Sequence, residues 1–492
     1  MASFNIVPAV RLEPLDQIAP RIYVRSVFIF DLYQGFDTVT ALNHMQQRLH
    51  CSLKRWPFLA GEIRPAIYGR VNELELSYDI DDKSVDPAFR PDIFRYEVCD
   101  RLGNRNYQEL KELGMPPSAM DKDVLSLSPI HPRPGESCPP VTVKITELTD
   151  GGLFVCFSTH HSIFDGGFVK TFLEYFGKEN EESPMDSYWK DYYNRPNMGP
   201  YIATNIENAV FPEYDFSVDN ELVAGLESLA LSSLPSNSSA KAPKHRVVCV
   251  LFRFNNTTLR TVHGRALAHV RDRHGPQAFV SMIDTLSAMV WVHVTRARLH
   301  RLSPLDNTAF TTAADARPRL SPAFPADSWG NIYTQTRAST DVKALVQARD
   351  GVPQDAVPAI LDAAWLVRQA VHQVNAPEYI PQRIALAAAL PDPTMEGIAF
   401  KKALKPDHAG LGCSVWTHMG ADVDFRIPGT RGKADYVRKT WSANDGSMNI
   451  MQRRGVTKGN APWEVLLALR EDDMERILGG NELGRWVESW CV

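Results

Sequence analysis

The chain has 492 residues, 44% hydrophobic and 23% charged, which is the balance of a globular protein with more chain than one ordinary core absorbs. Its 53 basic and 58 acidic residues leave a net charge of −5 and are spread without blocks, so neither a nucleic-acid surface nor a polybasic membrane patch is indicated. The seven cysteines form no Cys-x-x-Cys pair and read as free thiols of a reducing compartment, with the cytoplasm as the expected location.

The first residues, Met1 to Pro8, lack the basic and apolar regions of a secretory signal, and no apolar run approaches the length of a membrane span. Ile22 to Leu32 is rich in β-branched and aromatic residues and predicts a strand. Asp37 to Leu53 predicts a helix capped by Asp37, with Val39, Leu42, Met45 and Leu49 at helical spacing. Trp56 to Gly61 closes it with a turn, and Val71 to Tyr78 alternates as a strand. Val141, Val143 and Ile145 alternate with polar residues up to Thr149-Asp150-Gly151-Gly152, a hairpin turn signal, and the apolar run to Phe157 is the return strand. Phe168, Phe172, Leu173 and Phe176 then share one helical face. Residues 231–245, rich in Ser, Pro and Ala, read as a linker between an N-terminal unit, 1–230, and a C-terminal unit, 246–492. Beyond it, Val247 to Phe254 predicts a strand, Ser281 to Leu299 an amphipathic helix, and Thr340 to Ala376 a mostly helical stretch broken near Val352-Pro353. Ser414 to Phe425 is strand-like, and Ala461 to Leu478 combines a short strand with a closing helix.

Between the return strand and the phenylalanine-rich helix stands His160-His161-Ser162-Ile163-Phe164-Asp165-Gly166-Gly167. A buried strand that delivers an imidazole to its end, with a carboxylate four residues on, can present a general base to a cleft. Two other readings stand beside it: hydrogen-bonded core histidines, or a zinc site, against which no third His, Cys or Glu stands at ligand spacing nearby. Ser162 is flanked by His161 and Ile163, and no Gly-x-Ser-x-Gly elbow occurs, which disfavours a hydrolase triad. Neither a phosphate-binding Gly-x-x-x-x-Gly-Lys loop nor a Gly-x-Gly-x-x-Gly fingerprint is present, so kinase, ATPase and Rossmann dehydrogenase readings lose their support.

The segment from His160 to Gly166 resembles the HHxxxDG signature of the CoA-dependent acyltransferase superfamily, shared by BAHD acyltransferases, chloramphenicol and carnitine acyltransferases and peptide-synthetase condensation domains. Further stretches resemble the BAHD family in particular. These are Leu15-Asp16, Trp56 to Gly61, Asp284 to Ala288 with Trp291, and Ala314 to Leu320 followed by Ser328-Trp329-Gly330-Asn331. Leu411 to Trp416 and Pro462 to Val465 complete the set. Within the family the chain resembles the fungal branch similar to trichothecene 3-O-acetyltransferase. The family's Asp-Phe-Gly-Trp-Gly motif is reduced to Asp424-Phe425 followed by Arg426-Ile427-Pro428-Gly429, and its Tyr-Phe pair to Ser328-Trp329.

The resemblance implies an α/β fold of two chloramphenicol-acetyltransferase-like domains, each a mixed sheet flanked by helices, with a channel between them. It implies an enzyme that transfers an acyl group, acetyl foremost, from acyl-CoA to a hydroxyl of a small secondary metabolite through a ternary complex. His161 would be the base; Asp165, the other candidate in the catalytic set, would pair with Arg317 and tie the histidine loop to the second domain. Gly166 and Gly167 would turn the backbone and leave room for the pantetheine arm, and His160 would support His161. Ser414, Trp416 and Asn331 are candidates for the oxyanion site and substrate channel, and Arg296, Arg298 and Arg301 for the CoA phosphates. No metal and no bound cofactor are expected, acyl-CoA being a co-substrate; nor is a nucleic-acid or membrane partner, and the family is usually monomeric. The alternatives are N-acyl transfer, condensation from a carrier-protein thioester, and a non-catalytic relative that binds small molecules.

Overall fold

The apolar run that ends in the histidine pair forms the middle strand of a sheet in the computed structural model, which describes residues 9–78, 83–178, 197–217, 245–349, 352–353, 355–403, 409–441, 444–452, 461–479 and 482–492. In chain order the strands of the two large sheets are β1 (Tyr23–Asp31), β2 (Phe94–Cys99), β3 (Val141–Leu148), β4 (Gly152–His160), β5 (Val247–Phe254), β6 (Asn307–Asp315), β7 (Tyr333–Asp341), β8 (Leu411–Val415), β9 (Tyr436–Lys439), β10 (Ser447–Ile450), β11 (Trp463–Arg470) and β12 (Val487–Cys491). The first sheet has the order β9-β1-β4-β3-β2 and the second β7-β6-β8-β10-β11-β5-β12. Parallel pairs (β2 with β3, β8 with β6 and β10) sit among antiparallel ones, so both sheets are mixed and the fold is α/β. The helices used below are α1 (Pro14–Gln17), α2 (Thr38–Arg55), α3 (Gly166–Gly177), α4 (Met282–Ala297), α5 (Ala356–Gln373) and α6 (Tyr379–Ala389).

Strand β4 is buried from end to end because both its faces are covered, which is why it reads as a continuous apolar run and not as an alternation. Val155 and Phe157 pack with Phe28 and Phe30 under α2 and α3, whereas Phe154 and Cys156 pack with Val27, Ile29, Tyr107 and Met115 on the other side. The turn before it is Thr149-Asp150-Gly151, with Gly151 at φ +111°, and Gly152 already belongs to the strand. In α2 the Asp37 carboxylate accepts from Thr40 N, but Val39 is 63% exposed, and the buried stripe is Ala41, Met45, Leu49 and Leu53. Helix α4 is buried nearly all round, not along one stripe, because it lies between the second sheet and α5.

Two expected elements differ. Residues from Thr340 do not begin a helix: β7 runs to Asp341, a five-residue helix Val342–Val346 follows, and Ala348–Arg349 pairs with Val352–Pro353 before α5 starts. The strand expected over Ser414 to Phe425 is Leu411–Val415; Trp416 to Phe425 leave the sheet because the backbone folds back through Met419 N to Trp416 O and Val423 N to Gly420 O. The expected linker, 231–245, lies outside the described residues apart from His245.

Strand membership departs from the expected boundary at one place. β9, from the C-terminal half, pairs antiparallel with β1 and forms an edge of the N-terminal sheet, after which the chain returns to the second sheet as β10. Just before that crossing the reduced motif does structural work: Phe425 lies in the first core, within 6.1 Å of the rings of Phe28, Phe30, Phe157 and Phe176. Arg426 holds φ +51° where the family motif has glycine, a left-handed conformation that β-carbon sterics disfavour. Arg426→Gly should therefore raise the denaturation midpoint, by about 1 kcal/mol before glycine's added unfolded-state freedom is subtracted. A fall in the midpoint would show that the arginine side chain contributes more than its backbone costs.

Candidate active site

The loop after β4 is tied down on every side. His161 N donates to Ile22 O at 2.8 Å, and Ile163 N and Phe164 N both donate to His160 O at 3.0 Å. His160, the last strand residue, is 2% exposed and meets the edge of Tyr23 at 5.1 Å. Its Nδ1 accepts from Ser162 N at 3.2 Å, and burial pushes its pKa down to about 3, so it stays neutral. Ser162 is fully buried and its Oγ meets no hydrogen-bond partner among the described residues.

Asp165 caps α3 by accepting from Phe168 N at 2.9 Å and accepts Ile332 N at 2.9 Å. Arg317 grips the same carboxylate with two prongs, Nη1 to Oδ2 at 2.8 Å and Nη2 to Oδ1 at 3.0 Å. Both residues are about 97–98% buried, and Arg317 also donates to Ser328 O, Gly330 O and Asp315 Oδ1. Four donors thus occupy the aspartate's two oxygens, which join the histidine loop, α3 and the segment 317–332. Gly167 lies against this pair: a Cβ there would stand 2.6 Å from Arg317 Nη1. Gly166 is exposed and has ample room, and neither glycine has a positive φ; both open helix α3.

Asn331, expected at the oxyanion site or substrate channel, is fully buried. Its Nδ2 donates to His161 O at 2.7 Å and to Asp16 Oδ1 at 3.1 Å, and its Oδ1 lies 3.2 Å from His161 Nδ1. Both acceptors of the Nδ2 group lack protons to give, so the amide has one sensible orientation, and Oδ1 must take a proton from Nδ1. His161 Nε2 then carries the lone pair. Burial lowers the His161 pKa, against weaker upward contributions from its own carbonyl, Asp165 and Asn331, and keeps that lone pair unprotonated at neutral pH.

Trp416, also expected at the channel, is 5% exposed and packs into the first core, where the ring of Trp329 meets that of Phe58 at a tilt, with centroids 4.4 Å apart. Ser414 is exposed on β8, on the face opposite the core residues Leu411 and Cys413. Sequence reasoning passed over Tyr333, whose ring tilts over the His161 imidazole at 5.7 Å, and the buried charges beyond it. There Arg383 donates to Tyr214 Oη at 2.5 Å and reaches Glu396 at 3.4 Å, while Tyr379 Oη donates to Glu213. These residues are scattered over 213–396 and carry no motif; the buried charges Arg383 and Glu396 at helix positions facing the core were the available signal.

Residues 104–483 match the Transferase family. The chain belongs to that family, and is a CoA-dependent acyltransferase of the BAHD type. It is similar to the acyltransferase easC of Emericella nidulans, 24% identical over 72% of this chain and 78% of the relative. It is likewise similar to trichothecene 8-O-acetyltransferase of Fusarium sporotrichioides, 23% identical over 97% of both chains. Among solved structures, F. sporotrichioides TRI101 complexed with coenzyme A and T-2 shares the fold, with a TM-score of 0.75, 17% identity, and 98% of this chain and 99% of the other covered. Among the described residues no helix is long and apolar enough to cross a membrane.

For a BAHD acyltransferase the three arginines considered for the CoA phosphates are engaged elsewhere. Arg296 donates to Glu482 at 2.9 Å, fully buried Arg298 bonds Asp445, Asp473 and Gly410 O, and Arg301 donates to Asp473 at 2.7 Å. They hold the C-terminal half together, because each sits within reach of an acidic residue brought back by the chain's last segment.

Proposed function

We propose that this enzyme transfers an acyl group, acetyl foremost, from acyl-CoA to a hydroxyl of a small secondary metabolite, with His161 as general base. The observation that carries the reading is the His161–Asn331 contact of 3.2 Å, which commits Nδ1 to donation and leaves Nε2 free to accept. Nε2 takes the proton of the acceptor hydroxyl as its oxygen attacks the thioester carbonyl. The tetrahedral intermediate expels the CoA thiolate, which leaves with the proton held on His161. Ser414, exposed on its strand, is the proposed donor to the oxyanion; one such donor is worth about 10²–10³ in turnover. The 8-O-acetyltransferase relative and the neighbour bound to coenzyme A and T-2 support an oxygen acceptor and a CoA donor.

Incubation with acetyl-CoA and a panel of hydroxylated polycyclic metabolites should release free thiol at a rate that depends on the acceptor; no release with any acyl-CoA would sink the reading. A second expectation concerns pH. Because burial holds His161 below its ordinary value of 6.5, the acid limb of kcat/KM should have an apparent pKa under 6.5, with rate lost as pH falls through it. An acid limb above 7 would point to a different base.

A further inference from the structure

We propose that Asp16 is a positioning residue for the acyl transfer, acting through Asn331 to hold the Nδ1–H form of His161 and to stabilise the imidazolium that forms when Nε2 takes the proton. The inference rests on the reading of His161 as the base. Asp16 lies in the four-residue helix α1, is fully buried, and accepts with Oδ1 from both Asn331 N at 2.6 Å and Asn331 Nδ2 at 3.1 Å. Its Oδ2 accepts from Glu13 N at 3.2 Å, so the carboxylate is aimed by its own helix start before it meets Asn331.

The chemistry follows from what each group can and cannot do. A carboxylate only accepts, so it admits the Asn331 amide in one orientation, NH₂ toward Asp16 and Oδ1 toward His161. The negative charge polarises the amide in the direction that makes Oδ1 a better acceptor. That favours imidazolium over imidazole while adding no group that could take the Nδ1 proton away, as a directly bonded carboxylate could.

Of the other charges around the ring, Asp165 also raises the His161 pKa, but Arg317 holds it in place with two bonds, so its contribution is common to the parent and the Asp16 variants. His160 is neutral. Tyr333 covers one side of the ring, with Arg383 and its partner Glu396 beyond it. A bare anchoring role for Asp16, pinning α1 to residue 331, would use the same bonds but would leave the titration of His161 alone.

The test uses the full-length protein and its Asp16→Asn, Asp16→Glu and Asn331→Ala variants, with two readouts. In ¹⁵N-histidine-labelled protein the two-bond ¹H–¹⁵N pattern of His161, assigned by its loss in His161→Gln, should report a pure Nδ1–H form in the parent and a mixture in Asn331→Ala. In kinetics with acetyl-CoA, Asp16→Asn should lower kcat about tenfold or more, with KM little changed, and should move the acid limb downward. Asp16→Glu retains the charge but displaces it, and serves in place of the amide variant should that one fail to accumulate; it should move kcat in the same direction with a smaller shift of the limb. An Nε2–H form in the parent, or an acid limb that stays put while kcat falls together with the denaturation midpoint, would overturn the proposal. Absence of acyl transfer in the parent would strike the base assignment, whereas the tautomer measurement reads the Asp16 relay independently of turnover.

Discussion

His161→Ala should lower kcat by about 10²–10⁴, the range a positioned general base supplies, with a much smaller change in KM for either substrate. The split follows from where the imidazole acts: Nε2 contributes when the acceptor proton moves, so its loss is felt in the transition state more than in binding. The fold should survive, because the backbone anchors of residue 161 stay in place, its N–H on Ile22 O and its carbonyl under Asn331 Nδ2. The imidazole is only partly buried, so water can enter the vacated space and satisfy Asn331 Oδ1. Circular dichroism and a denaturation curve alongside the thiol-release assay separate the two effects. A variant that kept near-parental kcat would remove His161 from the chemistry.

Arg317→Ala should be the most destabilising change at the site, by about 3–5 kcal/mol, since it strands a buried carboxylate that the guanidinium now holds with two bonds. The damage should spread, because the same guanidinium holds the carbonyls of Ser328 and Gly330 and so sets the turn that delivers Asn331 to His161. Arg317→Lys would not rescue it: an ammonium cannot span two carboxylate oxygens and two carbonyls at once. The double variant Asp165→Ala/Arg317→Ala should lose clearly less than the sum of the single losses, read from urea midpoints, since residues in direct contact couple. Additive losses would show that the two side chains act separately despite the geometry.

Whatever rests on local chemistry could be read directly from the order of residues. Hairpin β3–β4 followed from alternation and the Asp150-Gly151 turn, the Asp37 cap from residue type, and the face of α3 from the spacing of four phenylalanine and leucine positions. The family, too, was legible, because HHxxxDG marks the superfamily and further contiguous stretches, such as Ala314 to Leu320 with Ser328 to Asn331, resemble its BAHD branch. Tertiary structure decided the rest. The Asp165–Arg317 pair, 152 residues apart, was expected only through the family resemblance, whereas the joining of Asn331 to His161 across 170 residues and to Asp16 across 315 was not expected at all. Nothing in the periodicity around Asn331 separates a side chain that faces substrate from one that faces a histidine's other nitrogen. The crossing of β9 into the first sheet was equally hidden, since a four-residue strand carries no mark of which sheet it joins. The histidine and its loop are thus written in one short stretch, whereas the groups that orient the imidazole come from two distant parts of the chain, residues 16–22 and 317–333, and exist as a site only once the sheets have packed.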